Sequence, residues 1–369
     1  MSADVLSSRA LNRATLARQL LLHRADLTAF DAIEHLVGMQ AQIPHDPYLG
    51  LWSRLADFDP GELGRLLVDR ALVRIVAMRG TIHLVSAEDC LTLRPLMQPV
   101  LDAELRRHPE FGGAALNGVD MDIVLPYART LLAEAPRTGA QLRAALQERF
   151  PGHNGAALAY ACRNLLAFVQ IPPRGVWGQT MQVTSTTAEA WLGRPLARAP
   201  SIDDVVVRYL AAFGPATVAD IASWSRLTGM RAVIDRIAPR LRTFRDEHAR
   251  ELFDLPDAPR PDPDTPAPPR FLPEYDNVLL SHTDRARFYD AERRAALGAI
   301  ARKIKGTVLV DGVVRATWRI EDATLFVDHA GALTKGETGE VQAEGARMLR
   351  FLQADPERGA AAEVRLVRL

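Results

Sequence analysis

One pattern limits the folds open to this chain: over residues 1–257, a set of helices followed by a pair of strands recurs three times. Recurrence of that kind marks a tandem architecture, because each copy is one supersecondary unit that buries its apolar face against its own hairpin and its neighbours. In the first copy apolar residues fall at helical spacing over residues 8–23 and 28–39, with Thr28 as N-cap. Residues 49–55 and 61–69 read as two more helices, and residues 72–85 as two strands turning near Arg79 and Gly80. The second copy has helices at 121–133, 138–148 and 156–166, then a strand pair turning at residues 172–175. The third has helices at 201–213, 217–223 and 230–241, then strands within 242–255 that turn near Asp246 and Glu247.

Helices closed by a β-hairpin are the winged-helix pattern, and the third copy adds a helix, short turn and helix of the kind that presents a recognition helix to DNA. Residues 257–269 are rich in proline and poor in apolar side chains, as expected of a linker. Beyond them the Asp311-Gly312 pair between two strand-like runs predicts a hairpin. A helix at 290–303, further strands and a helix at 339–354 complete a small β-rich region, read as a possible barrel. The expected fold class is therefore mainly α with β wings (α+β): three tandem winged-helix units in a concave arrangement, plus a C-terminal β-rich domain. The expected boundaries are 1–118, 119–200 and 201–257 for the three units, 258–269 for the linker and 270–369 for the last domain.

Composition trims the functional classes. The 369 residues carry 45 basic and 45 acidic side chains, which argues against binding nucleic acid by bulk charge alone. The distribution is uneven, with a surplus of four positive charges over residues 121–200, where Arg163 and the wing residue Arg174 lie, and a deficit of three over residues 1–120. Only Cys90 and Cys162 are present, so a zinc finger, an iron–sulfur cluster and a disulfide scaffold are disfavoured, and a reducing cytoplasm is the expected compartment. No apolar run approaches the roughly 18 residues that a membrane span needs. Of the basic residues three are lysines, Lys303, Lys305 and Lys335, all late in the chain, so amine-nucleophile chemistry has few candidates. Phosphate-loop, dinucleotide, zinc-protease, hydrolase-elbow and zinc-deaminase signatures are absent, and the nine histidines form no metal-spaced set.

The segment that carries chemistry is Gly38-Met39-Gln40-Ala41-Gln42-Ile43-Pro44-His45-Asp46-Pro47. Ile43 precedes a proline and is biased to extended backbone, so the helix should fail between Met39 and Gln42. On an extended chain Gln40 and Gln42 point to one side; on a continuing helix they would diverge. Two carboxamides side by side offer donors and acceptors without charge, enough to hold a water and a sugar or base edge. The plain alternative is a pair of glutamines closing a helix end. His45 and Asp46, beside them, are either an acid/base pair at the substrate or loop residues.

The segment LVGMQAQIPHDPYLGLWSRL resembles the QΦQ motif of the winged-helix DNA glycosylases, the AlkZ and YcaQ family, with Ala41 where a bulkier aliphatic is usual. AMRGTIHLVSAED, holding Arg79, Thr81 and His83, is similar to the family's RxTxHL segment. FLPEYDNVLLSHTDR, holding Tyr275, Asp276, Asn277, His282, Asp284 and Arg285, is similar to its PEYDNLLLSHxDR segment, and GTVLVDGVVRATW, with Trp318, to its late hairpin. The resemblance implies a monofunctional DNA glycosylase that hydrolyses the N-glycosidic bond of purines alkylated at N7 or N3. Bulky natural-product adducts, interstrand crosslinks and self-resistance are a fair extension. It implies Gln40 and Gln42 as catalytic residues, orienting the water and the deoxyribose, and duplex DNA bearing an alkylated purine as partner. The expectation is a monomer that works without cofactor, metal or membrane.

The remaining candidates for touching substrate or DNA are Arg79, Thr81, His83, His45, Arg174, His282 and Asp284. Arg79, Thr81 and His83 alternate along a predicted strand and so share one face, either a polar wing face near the lesion or a solvated strand face. Asp284 and His282 either tie the β-rich domain to the helical units or touch DNA. The rival to catalysis is a non-catalytic winged-helix regulator, for which helix-turn-helix units suffice.

Overall fold

A computed structural model describes residues 4–289, 306–321, 324–352 and 363–369. The predicted helix at 290–303 lies outside the described residues. The chain is a mixed α and β protein that divides into two compact units, Met1–Pro60 with Asp203–Trp224 and Gly229–Leu369, and Gly61–Ile202 with Ser225–Thr228.

In the first unit the leading helix Ser8–Arg18 starts on Ser7, whose side chain accepts the Ala10 N–H. Its apolar side and the turn after it, Leu16, Leu21 and Leu22, pack into one buried cluster with Leu272, Val278, Phe288, Leu309 and Val314. Burying each such side chain is worth about 1.5–3 kcal/mol, which explains why residues almost three hundred positions apart share a core. Among the described residues the late strands form one open sheet, not a barrel, in the order Arg270–Leu272, Gly306–Val310, Val313–Glu321, Thr324–His329 and Glu363–Arg368. The last strand runs parallel to its neighbour and the others are antiparallel. Asp311 and Gly312 turn the predicted hairpin with φ of 48° and 77°, the two left-handed residues that a tight hairpin needs. The leading helix locks that turn: Asn12 Nδ2 donates to the Gly312 carbonyl at 2.7 Å, and the Arg13 guanidinium binds the Asp311 carboxylate.

The proline-rich stretch is pinned along its length. Arg13 Nε donates to the Thr265 carbonyl at 2.7 Å and Arg18 Nη2 to the Pro259 carbonyl at 3.2 Å. Arg18 also forks onto the buried Asp254 at 2.6 and 2.8 Å. The helices Ile202–Phe213, Val218–Ser225 and Met230–Ile237 are followed by antiparallel strands Arg242–Asp246 and Glu251–Asp254. A strand missed in the sequence, Val5–Leu6, joins them in parallel register.

In the second unit the strand Ile82–Ser86 pairs with Leu72–Val76, which pairs with Phe168–Gln170, then Thr184–Thr187 and Arg137–Thr138. The helices Met121–Glu134, Gly139–Arg149 and Gly155–Leu165 enclose Val124, Ala128, Leu142, Leu146, Leu158, Cys162 and Leu166. Two helices passed over in the sequence, Ala87–Leu96 and Gln98–Arg107, lie between these parts. The first holds an internal Pro95, a residue that reads as a breaker, yet Ser86 caps it by accepting the Asp89 N–H.

Candidate active site

The glutamine segment belongs to the first unit and is shaped by its neighbours in sequence. Helix Ala29–His35 is capped by Thr28 as predicted, and the chain reverses through Val37 and Gly38 at φ of 55° and 86°. The Gly38 N–H returns to the Ile33 carbonyl at 2.9 Å, a left-handed helix exit that glycine adopts without strain. The chain then extends as a two-residue strand, Met39–Gln40. Helix Asp46–Trp52 follows at once, with a proline in its first turn.

Beneath the strand lies a set of buried polar groups. Arg54 forks onto Asp276, Nη1 to Oδ2 at 2.9 Å and Nη2 to Oδ1 at 2.8 Å, with both side chains sealed from water. Its Nη1 also donates to the Gly50 carbonyl at 3.0 Å and its Nη2 to Gln19 Oε1 at 3.3 Å. Asn277 Nδ2 donates to the Gly38 carbonyl at 3.3 Å, holding the residue before the strand. Gln19, Gln40, Asp46, Arg54, Asp276 and Asn277 all line one small cavity of about 10 Å³, space for the centre of about one water. The PEYDN segment thus meets the glutamine segment, although some 235 residues separate them.

The two glutamines occupy different surroundings. Gln40 is 7% exposed, whereas Gln42 lies in a bend and is exposed. The extended stretch ends at Gln40, shorter than the alternation from Gln40 to Gln42 assumes. His45 is half-buried with its ring edge-on to Tyr48, centroids 6.2 Å apart, and Asp46 is 8% exposed.

Arg79, Thr81 and His83 belong to the second unit. Arg79 is not on the strand: it sits in the turn Met78–Gly80 at φ 59°, so alternation does not govern it. Thr81 Oγ1 donates to the Met78 carbonyl at 3.2 Å. His83 is fully buried, contrary to a solvated face, because every residue of strand Ile82–Ser86 is covered on both sides. Its Nδ1 lies 3.0 Å from the Thr81 carbonyl and therefore carries the proton, while Nε2 is 3.5 Å from Arg79 Nη2. Burial, with the Arg79 charge beside it, pushes the His83 pKa down to about 3, so the ring is neutral at physiological pH. Gly80, at φ 71°, lets Glu104 close on the turn: a Cβ there would stand 2.8 Å from Glu104 Oε2. Arg174, half-buried on the second strand pair's loop, donates to the Met181 carbonyl at 3.0 Å.

His282 and Asp284 form a separate cluster in the first unit. His282 is 2% exposed, and its Nε2 donates to the Phe213 carbonyl at 3.0 Å. Burial and the neighbouring Arg287 hold its pKa far below the ordinary range. Asp284 accepts from Arg250 at 2.6 Å and from the Ala286 N–H at 2.9 Å. These contacts overcome the upward push of burial and keep its carboxyl ionised at lower pH than usual. His282 thus faces the interior, where it ties the helix Ile202–Phe213 to the segment after the PEYDN run.

Gln19 and Arg54 were not singled out in the sequence. Arg54 closes the WSRL end of the glutamine segment, and only its pairing with Asp276, 222 residues on, gives it meaning. Both cysteines are buried and burial pushes each thiol up to about 12, so neither is a thiolate at neutral pH. Lys335 is exposed and does not line the Gln40 cavity; Lys303 and Lys305 lie outside the described residues. Among the described residues no group of three or more His, Cys, Asp or Glu is arranged for a metal, and no helix is long and apolar enough to cross a membrane.

Comparison with known proteins gives this geometry a family. An interstrand DNA cross-link repair glycosylase of Streptomyces sahachiroi is 27% identical over 334 residues, covering 84% of this chain and 87% of that protein. The solved structure of the Streptomyces sahachiroi DNA glycosylase AlkZ superposes with a TM-score of 0.76 over 100% of both chains at 23% identity, a likeness of fold. The family model described as DNA glycosylase AlkZ-like matches residues 33–351, which include both glutamines, the Arg79 turn and the PEYDN segment, and the chain belongs to the AlkZ-like DNA glycosylase family.

Proposed function

We propose that the chain is a monofunctional glycosylase that hydrolyses the N-glycosidic bond of purines alkylated at N7 or N3, with the cavity beneath Gln40 as its reaction centre. The observation that carries the reading is the buried Gln40 carboxamide lining a polar cavity of about one water's volume, at the end of a strand anchored through Asn277. Gln40 orients the attacking water from inside, and the exposed Gln42 meets the deoxyribose at the surface. So mild a set of groups suffices because an N7-alkylated purine is already cationic: it leaves as a neutral base without a general acid, and the protein works by positioning and by stabilising oxocarbenium character at the sugar. The name of the Streptomyces relative supports extending the substrate class to interstrand crosslinks, and self-resistance is the further extension that the family resemblance implies.

The helix sets followed by strand pairs fit three tandem winged helices around DNA, with units at 1–118, 119–200 and 201–257, a connecting 258–269 and a terminal 270–369. Arg79 and Arg174 are the cations assigned to the DNA backbone, with Thr81 and His45 at the lesion's edge. His83 supports Arg79, and His282 and Asp284 act through the interior contacts already described. The protein acts as a cytoplasmic monomer. A non-catalytic regulator would leave a duplex with a single N7-methylguanine intact. Incubation with that duplex and with one bearing a bulkier N7 adduct, followed by alkali, yields strand breaks at the lesion; intact strands on both would refute the assignment.

A further inference from the structure

The Arg54 guanidinium carries five N–H donors. Four are engaged: Nη1 donates to the Gly50 carbonyl at 3.0 Å and to Asp276 Oδ2 at 2.9 Å, and Nη2 to Asp276 Oδ1 at 2.8 Å and to Gln19 Oε1 at 3.3 Å. Gln19 is turned to accept, because its own Nε2 donates to the Ala212 carbonyl at 2.7 Å. The fifth donor, Nε–H, is buried and has no hydrogen-bond partner among the described residues. Arg54 is 1% exposed, so bulk water does not serve that N–H, and an unmet buried donor is costly. The same side chain lines the Gln40 cavity, whose volume of about 10 Å³ takes about one water. A sealed ion pair is weak support for a fold, since apolar side chains of similar volume do as well or better. In this place it has a chemical use. Asp276 offsets the Arg54 charge through the fork, so the remaining N–H offers a hydrogen bond without opposing a cationic purine or a developing sugar cation.

We infer that Arg54 is a further catalytic residue, whose Nε–H holds the oxygen of the water that attacks the sugar. The inference rests on the reading of the Gln40 cavity as the reaction centre. One lone pair of the water oxygen accepts from Nε–H and the other is directed at C1′, while Gln40 orients the same water. In the step, that oxygen forms a bond to C1′ as the bond from C1′ to the purine nitrogen breaks. The electron pair of the broken bond goes to the departing base, which leaves neutral because it was cationic. The attacking oxygen passes one proton to solvent water and keeps the other as the new C1′ hydroxyl of the abasic sugar. Arg54 gives up no proton; it fixes where the nucleophile stands.

The test is single-turnover release of N7-methylguanine from a duplex in buffer with and without methanol, with duplex affinity measured beside it. The sugar product is resolved by mass into the abasic deoxyribose, from attack by water, and its 1-O-methyl form, from attack by methanol. The proteins are wild type, Arg54→Lys, which lacks the Nε–H but keeps a cation opposite Asp276, and Arg54→Met with Asp276→Leu, which removes donor and pair together. Wild type should give more of the water product than the two concentrations alone dictate. Both variants should bind the duplex as wild type does and release the base at least about tenfold more slowly, the scale of one lost hydrogen bond to a charged group. Their methanol product should rise as a share of the total. A purely structural pair predicts otherwise: a folded double variant with the wild-type rate, or a slower one with the wild-type product ratio, overturns the assignment. If the double variant does not fold, Arg54→Lys is judged by the same two readings. A wild type whose products simply follow the concentrations of water and methanol overturns it without any variant. Inactive wild type would instead sink the underlying glycosylase reading, so the two failures are distinguishable.

Discussion

The Gln40 strand and the Arg79 turn are both short polar segments entered through left-handed backbone, at Val37 and Gly38 in one and at Arg79 and Gly80 in the other. What lies beneath them differs. Under Gln40 there is a cavity, a sealed ion pair and a second buried carboxylate. Beside Arg79 lies a buried neutral histidine, His83, whose Nε2 is 3.5 Å from the guanidinium. A small polar pocket with room for about one water suits hydrolysis, and an arginine beside a neutral ring suits grip on phosphate. The presence of polar residues in a motif does not distinguish these two uses; the partner of each buried polar group does.

Four substitutions probe that contrast. The largest effect is expected at the sealed pair. Arg54→Met leaves Asp276 charged and buried, and should cost about 3–5 kcal/mol of stability, read by thermal or urea unfolding. Arg54→Met with Asp276→Leu should recover much of it, because removing both charges removes the desolvation penalty. A single variant as stable as wild type would show that the pair does not support the glutamine strand.

The next effect is a dependence on pH beneath the Arg79 turn. The His83 pKa is about 3 in the folded protein against 6.5 for an ordinary histidine, so between those values the unfolded chain binds a proton that the folded one refuses. The stability that His83 confers is complete above pH 6.5 and is lost as pH falls toward 3, at up to about 1.4 kcal/mol per pH unit. His83→Gln should flatten the stability profile in that window. An unchanged slope would mean that the ring is not buried neutral.

Arg79→Ala should give the smallest effect on the fold and a selective one on binding. Affinity for duplexes should fall irrespective of sequence, and the slope of log affinity against log salt should shrink by about one. Melting should move little, since Arg79 is half-buried in a turn outside the apolar core. An unchanged salt slope would remove Arg79 from the phosphate contacts.

Much of the helical skeleton was legible, because helix spacing and caps are local: Thr28, for example, caps the helix that its position predicts. The helices Ala87–Leu96 and Gln98–Arg107 were hidden by prolines that fall inside or at the first turn of a helix, although Ser86 with Asp89 three residues on is a readable start signal. Long-range events were not legible. Nothing local to Val5 announces its pairing with Arg245, nor does Arg54 announce Asp276. The exposure of His83 was misjudged because alternation assigns faces but cannot say that both faces are covered. Nor does the abundance of arginine show which ones are interior: Arg13, Arg18, Arg54 and Arg74 are among the largest fully buried side chains, where they tie distant segments together.

The central claim is that the glutamine segment performs the chemistry and does not merely hold the duplex. It is tested most directly by single-turnover release of N7-methylguanine from a duplex by wild type, Gln40→Ala and Gln42→Ala, with the affinity of each for the same duplex measured in parallel. Wild type should release the base, and each variant should lose at least about tenfold in rate, a loss of 1.4 kcal/mol or more of transition-state stabilisation, with affinity preserved. Full activity in Gln40→Ala, or a loss explained entirely by weaker binding, would contradict it.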